Sequence, residues 1–286
     1  MSFDRARAVA DAVLFEGYLL YPYRASARKN RYRWTFGVLA PQAWSAAGGC
    51  ERSQLQLQCL VSGRPDLDPD ATVIEGRLRF FQLVQRRVEK YVAGCYQPTA
   101  SLEVDDEIVI PWDEEQVHEV ELTATLSEPA RIPVHVPGGI EEETIVDVAG
   151  HIMGRVIREC WPIDGEMILR AEAVSANRPL HRLTVTVENA TSQSVPGILR
   201  DEILGNSMLA THLCLGTNAE FLSAMDPPAW AAEAAATCQC VGTYPVLAGE
   251  PGEHDLLLSA PVVLCDHPEL AQESTGDFYD STELSG

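Results

Sequence analysis

Three close pairs of soft side chains fall within one third of the chain: His212 with Cys214, Cys238 with Cys240, and Cys265 with His267. Each pair is separated by one residue, a spacing that in an extended strand puts both side chains on one face, within reach of a single transition-metal ion. Structural zinc sites usually take their ligands two to four residues apart, because a tight turn then aims both at the metal. Small buried residues alternating along a strand give the same spacing, and cysteine is among the most buried residue types. The pairs are therefore read as buried thiols, with metal handling through Cys238, Cys240 and neighbouring ligands as the rival. Asp66, Asp68 and Asp70 open like a calcium loop, but Ala71 stands where the turn needs glycine and Arg77 where a bidentate glutamate belongs. Gly205-Asn206-Ser207 has the first half of a nucleophile elbow and lacks its second glycine, so Ser207 reads as an ordinary helix residue. The carboxylate clusters Asp105-Asp106-Glu107, Asp113-Glu114-Glu115 and Glu141-Glu142-Glu143 serve a glycosidase only if two members face each other across a cleft. Solvated turns and strand ends are the plainer reading. The sequence contains no Gly-rich phosphate loop, dinucleotide fingerprint or His-Glu-x-x-His pair. No residue is assigned to catalysis, to a cofactor or to a metal.

The remaining chemistry is recognition. Between Tyr18 and Phe36 lie six aromatic residues (Tyr18, Tyr21, Tyr23, Tyr32, Trp34, Phe36) and five basic ones (Arg24, Arg28, Lys29, Arg31, Arg33), in a chain of formal net charge -21. Aromatics stacking on bases and arginines on phosphates would suit nucleic acid, but the overall acidity opposes it. Arginines beside tyrosines are what protein interfaces favour. The partner-binding residues expected on this basis are Tyr21, Tyr23, Arg24, Arg28, Lys29, Asn30, Arg33 and Trp34, facing a protein or another carboxylate-bearing partner.

The elements that must position these residues read as strands. Apolar and polar residues alternate in one short segment after another. Tyr32, Trp34, Phe36 and Val38 would share one face, as would Leu55, Leu57, Cys59 and Val61; Val120, Leu122, Ala124 and Leu126; Ile132, Val134 and Val136; and Leu183, Val185 and Val187. Turn signals such as Pro137-Gly138-Gly139, Pro196-Gly197 and Pro251-Gly252 separate the runs. The expected fold is mainly β, an antiparallel β-sandwich or barrel-like domain with a few short helices in the C-terminal third. One helix is expected over Arg200 to Leu213 and another from Asp226 as N-cap. A length of 286 residues suits a single domain, 1–286, or two β subdomains meeting near 137–143, with 269–286 an acidic, loosely held tail. The N-terminus has no apolar run of signal-peptide length, and nowhere do about 18 apolar residues follow one another, so no membrane insertion and a cytoplasmic location are expected.

Several segments resemble a family of bacterial proteins encoded in [NiFe]-hydrogenase gene clusters. They are Glu16-Gly-Tyr-Leu-Leu-Tyr-Pro-Tyr-Arg-Ala-Ser with Lys29-Asn30 and Arg33-Trp34-Thr-Phe-Gly, Leu183 to Asn189, Ser207 to His212, Phe221 to Pro228, Gly242 to Glu250, Leu258 to Leu264 and Glu273 to Glu283. The resemblance spans nearly the whole chain, and it implies a hydrogenase accessory or maturation-associated role with hydrogenase subunits or maturation proteins as partners. It implies no catalytic residues. The expected function is thus a non-catalytic accessory, assembly or scaffold protein. Metal handling through C-terminal Cys and His residues is the alternative, and a carbohydrate-active β-sandwich enzyme the third reading.

Overall fold

The computed structural model describes residues 2–15, 34–63, 71–175, 177–192 and 197–268. Tyr21, Tyr23, Arg24, Arg28, Lys29, Asn30 and Arg33, the three aspartates 66, 68 and 70, and the tail 269–286 lie outside the described residues. Fifteen strands are described: β1 (Gln54–Ser62), β2 (Val73–Val92), β3 (Cys95–Pro98), β4 (Leu102–Val104), β5 (Glu107–Val109), β6 (Trp112–Thr125), β7 (Ala130–Val136), β8 (Gly139–Val146), β9 (Ile152–Cys160), β10 (Ile163–Ala173), β11 (Leu180–Asn189), β12 (Leu209–Thr217), β13 (Glu220–Phe221), β14 (Tyr244–Leu247) and β15 (Leu256–Ala260). The described α-helices are short: α1 (Asp4–Ala10), continued by a π-helical turn Asp11–Phe15, α2 (Gln42–Ala46), α3 (Arg200–Ile203) and α4 (Ala232–Ala236). None is long and apolar enough to cross a membrane.

The protein is mainly β and sandwich-like, with antiparallel pairing between the described strands. One sheet runs β13-β1-β11-β10-β7; the other runs β14-β15-β12-β2-β9-β8, with β6 and β3 also paired to β2. Among the described residues neither sheet closes into a barrel. Alternation builds the interior: Leu55, Leu57, Cys59 and Val61 of β1 and Leu183, Val185 and Val187 of β11 face Ile74, Leu78 and Phe80 of β2 and Leu122 and Ala124 of β6 in the first core. A second core covers the outer face of the β12–β2 sheet. Here the i, i+3, i+4 stripe of α1 (Ala6, Val9, Ala10), with Phe3 and Leu14, packs on Phe81, Leu83, Leu209 and Cys214.

Strand β2 is the spine of the molecule. Its first half pairs with β12 and β6, and beyond Gln85 it runs on to pair with β9 and β3 in a lobe outside the sandwich. The β4–β5 hairpin caps the lobe over a small core of Val88, Leu102, Val104 and Val156. Gly154 allows the close approach there, since a Cβ would lie 2.2 Å from the Glu89 carbonyl oxygen. The chain enters the lobe from β7 at Pro137 and leaves it for β10 at Trp161; Gln82 ties the two crossings, its Nε2 donating to Pro137 O (3.1 Å) and Trp161 O (2.7 Å). Arg155 bridges Glu89 and Glu142, both at 2.7 Å, and Arg158 bridges Glu114 (2.9 Å) and Glu143 (2.8 Å), so charges ladder across β6, β2, β9 and β8.

Several expectations are corrected. No helix spans Arg200 to Leu213: α3 ends at Ile203, a 3-10 turn follows, and Leu209–Thr217 is strand. Every residue of β12 is buried, because a core lies on each face, and a strand buried on both sides loses the polar alternation that would announce it. Ser207 accordingly caps the 3-10 turn, its Oγ donating to Ile203 O at 2.8 Å. The later helix begins at Ala232 with Ala231 at its N-cap, six residues past Asp226, since Pro227 and Pro228 delay it. Residues 34–38 form no strand: Trp34 and Val38 are buried while Phe36 is half exposed. The acidic runs 113–115 and 141–143 lie within β6 and β8, where Glu114, Glu142 and Glu143 hold arginines; only Asp105 and Asp106 form a turn.

Candidate partner-docking site

Of the residues expected to bind a partner, Trp34 is the one described, and it is only 2% exposed. Its ring stands edge-on to Phe81 with centroids 6.0 Å apart. Its φ of 64° is left-handed, an uncommon state for a bulky residue, held by Arg200, whose Nη2 donates to the Trp34 carbonyl (2.6 Å) while Nε pairs with Glu51 (2.6 Å). Trp34 is therefore an anchor and not part of an open binding surface in this conformation. Burial of an indole in the second core outweighs its display. Leu14 lies in that same core, so the chain enters and leaves 16–33 from one patch on the outer face of the sheet.

Beyond Trp34 the backbone runs alongside the start of β12. Ala210 N donates to Phe36 O (3.1 Å), Thr211 N to Gly37 O (3.0 Å), and Leu39 exchanges both hydrogen bonds with Met208 (2.9 and 3.1 Å). Asn189, fully buried, holds the far end: its Nδ2 donates to Leu39 O (2.7 Å) and Asn206 O (2.8 Å), and its Oδ1 accepts from Thr191 N (3.0 Å). The stretch so fixed forms one wall of a cleft of about 230 Å³. The other lining residues include Glu51, Arg52, Leu55, Gly242, Tyr244 and Pro261. Phe36 and Tyr244 are each about half exposed at its mouth. Arg52 lies across Gly242, whose φ is +72° and where a Cβ would come 2.7 Å from Arg52 Nη1. Glu51 is engaged by Arg200, and among the described residues Arg52 has no ion pair. The cleft thus offers a cation and two aromatic surfaces to a carboxylate-bearing or aromatic group. No protein-family model matches the chain, and neither does any curated protein. The geometry alone must therefore carry the functional reading of this cleft.

The soft pairs are in three separate places. His212 is fully buried, with Nδ1 2.7 Å from Ala210 O and Nε2 3.4 Å from Arg79. Burial holds its pKa down to about 3 and pushes the Cys214 thiol up to about 12. Cys240 Sγ sits 3.4 Å from both N and O of Gln58 on the edge of β1, and Cys238 packs under the cluster of Leu60, Leu180 and Leu222. Burial raises the pKa of Cys59, with smaller contributions from Cys238 and Cys240, and burial also raises Cys240. His267 Nδ1 is 3.0 Å from Gly249 O, and Cys265 is exposed. Among the described residues no three His, Cys, Asp or Glu side chains are grouped to hold a metal.

Two carboxylates, Glu75 and Glu121, share a depression of about 190 Å³ on the outer sheet face, but Glu121 is tied to Arg77 at 3.3 Å. A larger cleft of about 460 Å³ at the sandwich end carries Glu220 with Arg178 stacked 4.7 Å over Trp230. Sequence reasoning missed Arg52 and Tyr244. Arg52 stands alone between polar residues, and only the fold brings it into one cleft with Phe36 and Tyr244.

Proposed function

We propose that the protein is a cytoplasmic, non-catalytic accessory, assembly or scaffold protein of a [NiFe] hydrogenase, binding a hydrogenase subunit or maturation protein through the cleft and the segment 21–33. The observation that carries the docking site is Arg52, which has no ion pair among the described residues, lining one cleft with the half-exposed Phe36 and Tyr244. An arginine flanked by aromatics is the combination enriched at interface hot spots. The partner class comes from the family resemblance. Affinity purification of the full chain from its native host, with the hydrogenase expressed, tests the reading. Hydrogenase subunits or maturation proteins should be recovered and lost on Arg52→Glu. Recovery of none removes the hydrogenase assignment; recovery unchanged by the variant removes the cleft.

Metal handling has one observation behind it, the electrostatic influence of Cys238 and Cys240 on Cys59, although among the described residues no three such side chains are grouped to hold a metal. Ligation needs thiolates, and burial raises the pKa of two of the three, which weighs against it. Stoichiometric nickel, iron or zinc in protein purified without an affinity tag would establish that reading instead.

A further inference from the structure

The far end of the lobe carries an apolar surface that folding does not require. Val92, Val146, Val148 and Ile152 are 41, 50, 91 and 45% exposed. Singly such residues are ordinary; contiguous ones mark interaction sites. Val146 pairs directly with Ile152 across the β8–β9 hairpin. The β2–β9 ladder ends with Lys90 opposite Gly154; Val92 lies two residues beyond Lys90 on β2 and Ile152 two residues before Gly154 on β9. Val148 sits in the β8–β9 turn, whose own needs are met by others: Asp147 Oδ1 accepts from Ala149 N (2.9 Å) and His151 N (2.8 Å), and Gly150 takes the positive φ. A polar residue would serve that turn as well as valine.

Acidic side chains frame this surface. Asp105 Oδ2 accepts from Val148 N at 3.1 Å, which brings the β4–β5 turn with Asp106 and Glu107 against the hairpin. Among the described residues these three carboxylates form no ion pair. We propose that this end of the lobe docks a partner protein whose contact surface is apolar and ringed with lysine and arginine. A second copy of the chain would bring the same carboxylates together within a molecule of net charge -21, and an anionic membrane would be repelled likewise. From Phe81, where Trp34 packs, to Val92 the strand advances about 36 Å at about 3.3 Å per residue. The surface is therefore remote from the Arg52 cleft, and a protein using both would hold two partners, or two parts of one, apart.

The test places a photo-crosslinking phenylalanine analogue at position 148 of the full chain in its native host, with position 199, exposed at the surface and outside the lobe, as control. The expected result is one dominant adduct, absent from the control, whose linked peptide carries apolar residues among lysines and arginines. The adduct should fall at least ten-fold when the probe is moved to position 146 and Val148→Asp with Ile152→Asp is introduced. Adducts only to a second copy, adducts matching the control, an unchanged yield in the double variant, or none at all would each overturn the proposal. A basic partner unrelated to hydrogenase would sustain it while removing the hydrogenase reading.

Discussion

Replacing Asn189 tests whether the cleft wall is held as described. The side chain is fully buried and makes three hydrogen bonds, to Leu39 O, Asn206 O and Thr191 N. Alanine removes all three and leaves the Asn206 carbonyl and the Thr191 N–H without those partners, while the Leu39 carbonyl keeps its bond from Met208 N. At about 1 kcal/mol per net bond, with part of the desolvation penalty of each orphan added, the expected cost is about 3–5 kcal/mol. For 286 residues at about 2.1 cal/mol/K each, the unfolding entropy is about 0.6 kcal/mol/K, so Tm should fall by about 5–8 °C. Asn189→Asp is the sharper variant, because it points a carboxylate oxygen at two carbonyl oxygens. The folded-state pKa of the new carboxyl must then lie above the unfolded value, so the variant is stabilised below the unfolded value and loses that stability as pH rises through the folded one. Urea unfolding at pH 7.5 and pH 5 should show the aspartate variant less stable than the alanine variant at the higher pH and closer to wild type at the lower. An alanine variant within about 1 kcal/mol of wild type, or an aspartate deficit that ignores pH, would refute the bonding described. Hydrogen exchange at residues 37–40 should accelerate in both variants, since Leu39 loses its tie to β11.

Trp34→Ala removes a buried ring from the second core and should cost about 3–5 kcal/mol by urea unfolding; a loss below about 1 kcal/mol would return Trp34 to the surface. Gly242→Ala forces a Cβ into a left-handed position and against Arg52, so a loss of about 1–2 kcal/mol is expected, together with partner binding as weak as in Arg52→Glu. Unchanged binding would show that Arg52 does not need its seat. His212, with a folded pKa of about 3 against an ordinary 6.5, leaves the unfolded state binding the extra proton between those values. Stability should therefore decline as pH falls below 6.5, by up to about 5 kcal/mol from this residue, and His212→Gln should flatten that slope by about one proton. An identical pH profile in the variant would show that His212 does not titrate as its burial dictates.

Period-two alternation made β1, β7 and β11 legible in the sequence, because each packs one face in the first core and leaves the other wetter. It failed at β12, where α1 and the opposite sheet bury both faces of Leu209–Thr217, and at 34–38, where Arg200 bends the chain through Trp34. Charge patterning misled at Glu141 to Glu143: the run looks like a solvated turn, yet Arg155 and Arg158, both on β9, draw it into a strand. The cleft was illegible for another reason. Its cation, its two rings and its required glycine come from residues 36, 52, 242 and 244, joined through the Phe36–Ala210, Leu39–Met208, Ala40–Arg52 and Gln56–Val241 pairings and by the closing of β14 onto β15. No local window of sequence contains that juxtaposition.

The length of β2 sets the relation between the two surfaces. Between Gly76 and Val92 the strand holds no glycine or proline, the residues that most often bend or bulge a strand. It is flanked first by β12 and β6, then by β9 and β3, so its backbone is paired on both edges for most of its course. The changeover near Gln82 to Arg86 is where such a strand would be weakest. Gln82 there binds both chain crossings, and Glu114 of β6 meets Arg86 at 3.6 Å and Arg158 of β9 at 2.9 Å. Reinforcement at that point keeps the lobe aligned with the sandwich, and lets a surface at Val92 keep a fixed bearing on a cleft whose wall hangs from Trp34 and Phe81. The proposed docking of partners at both surfaces would use that fixed bearing.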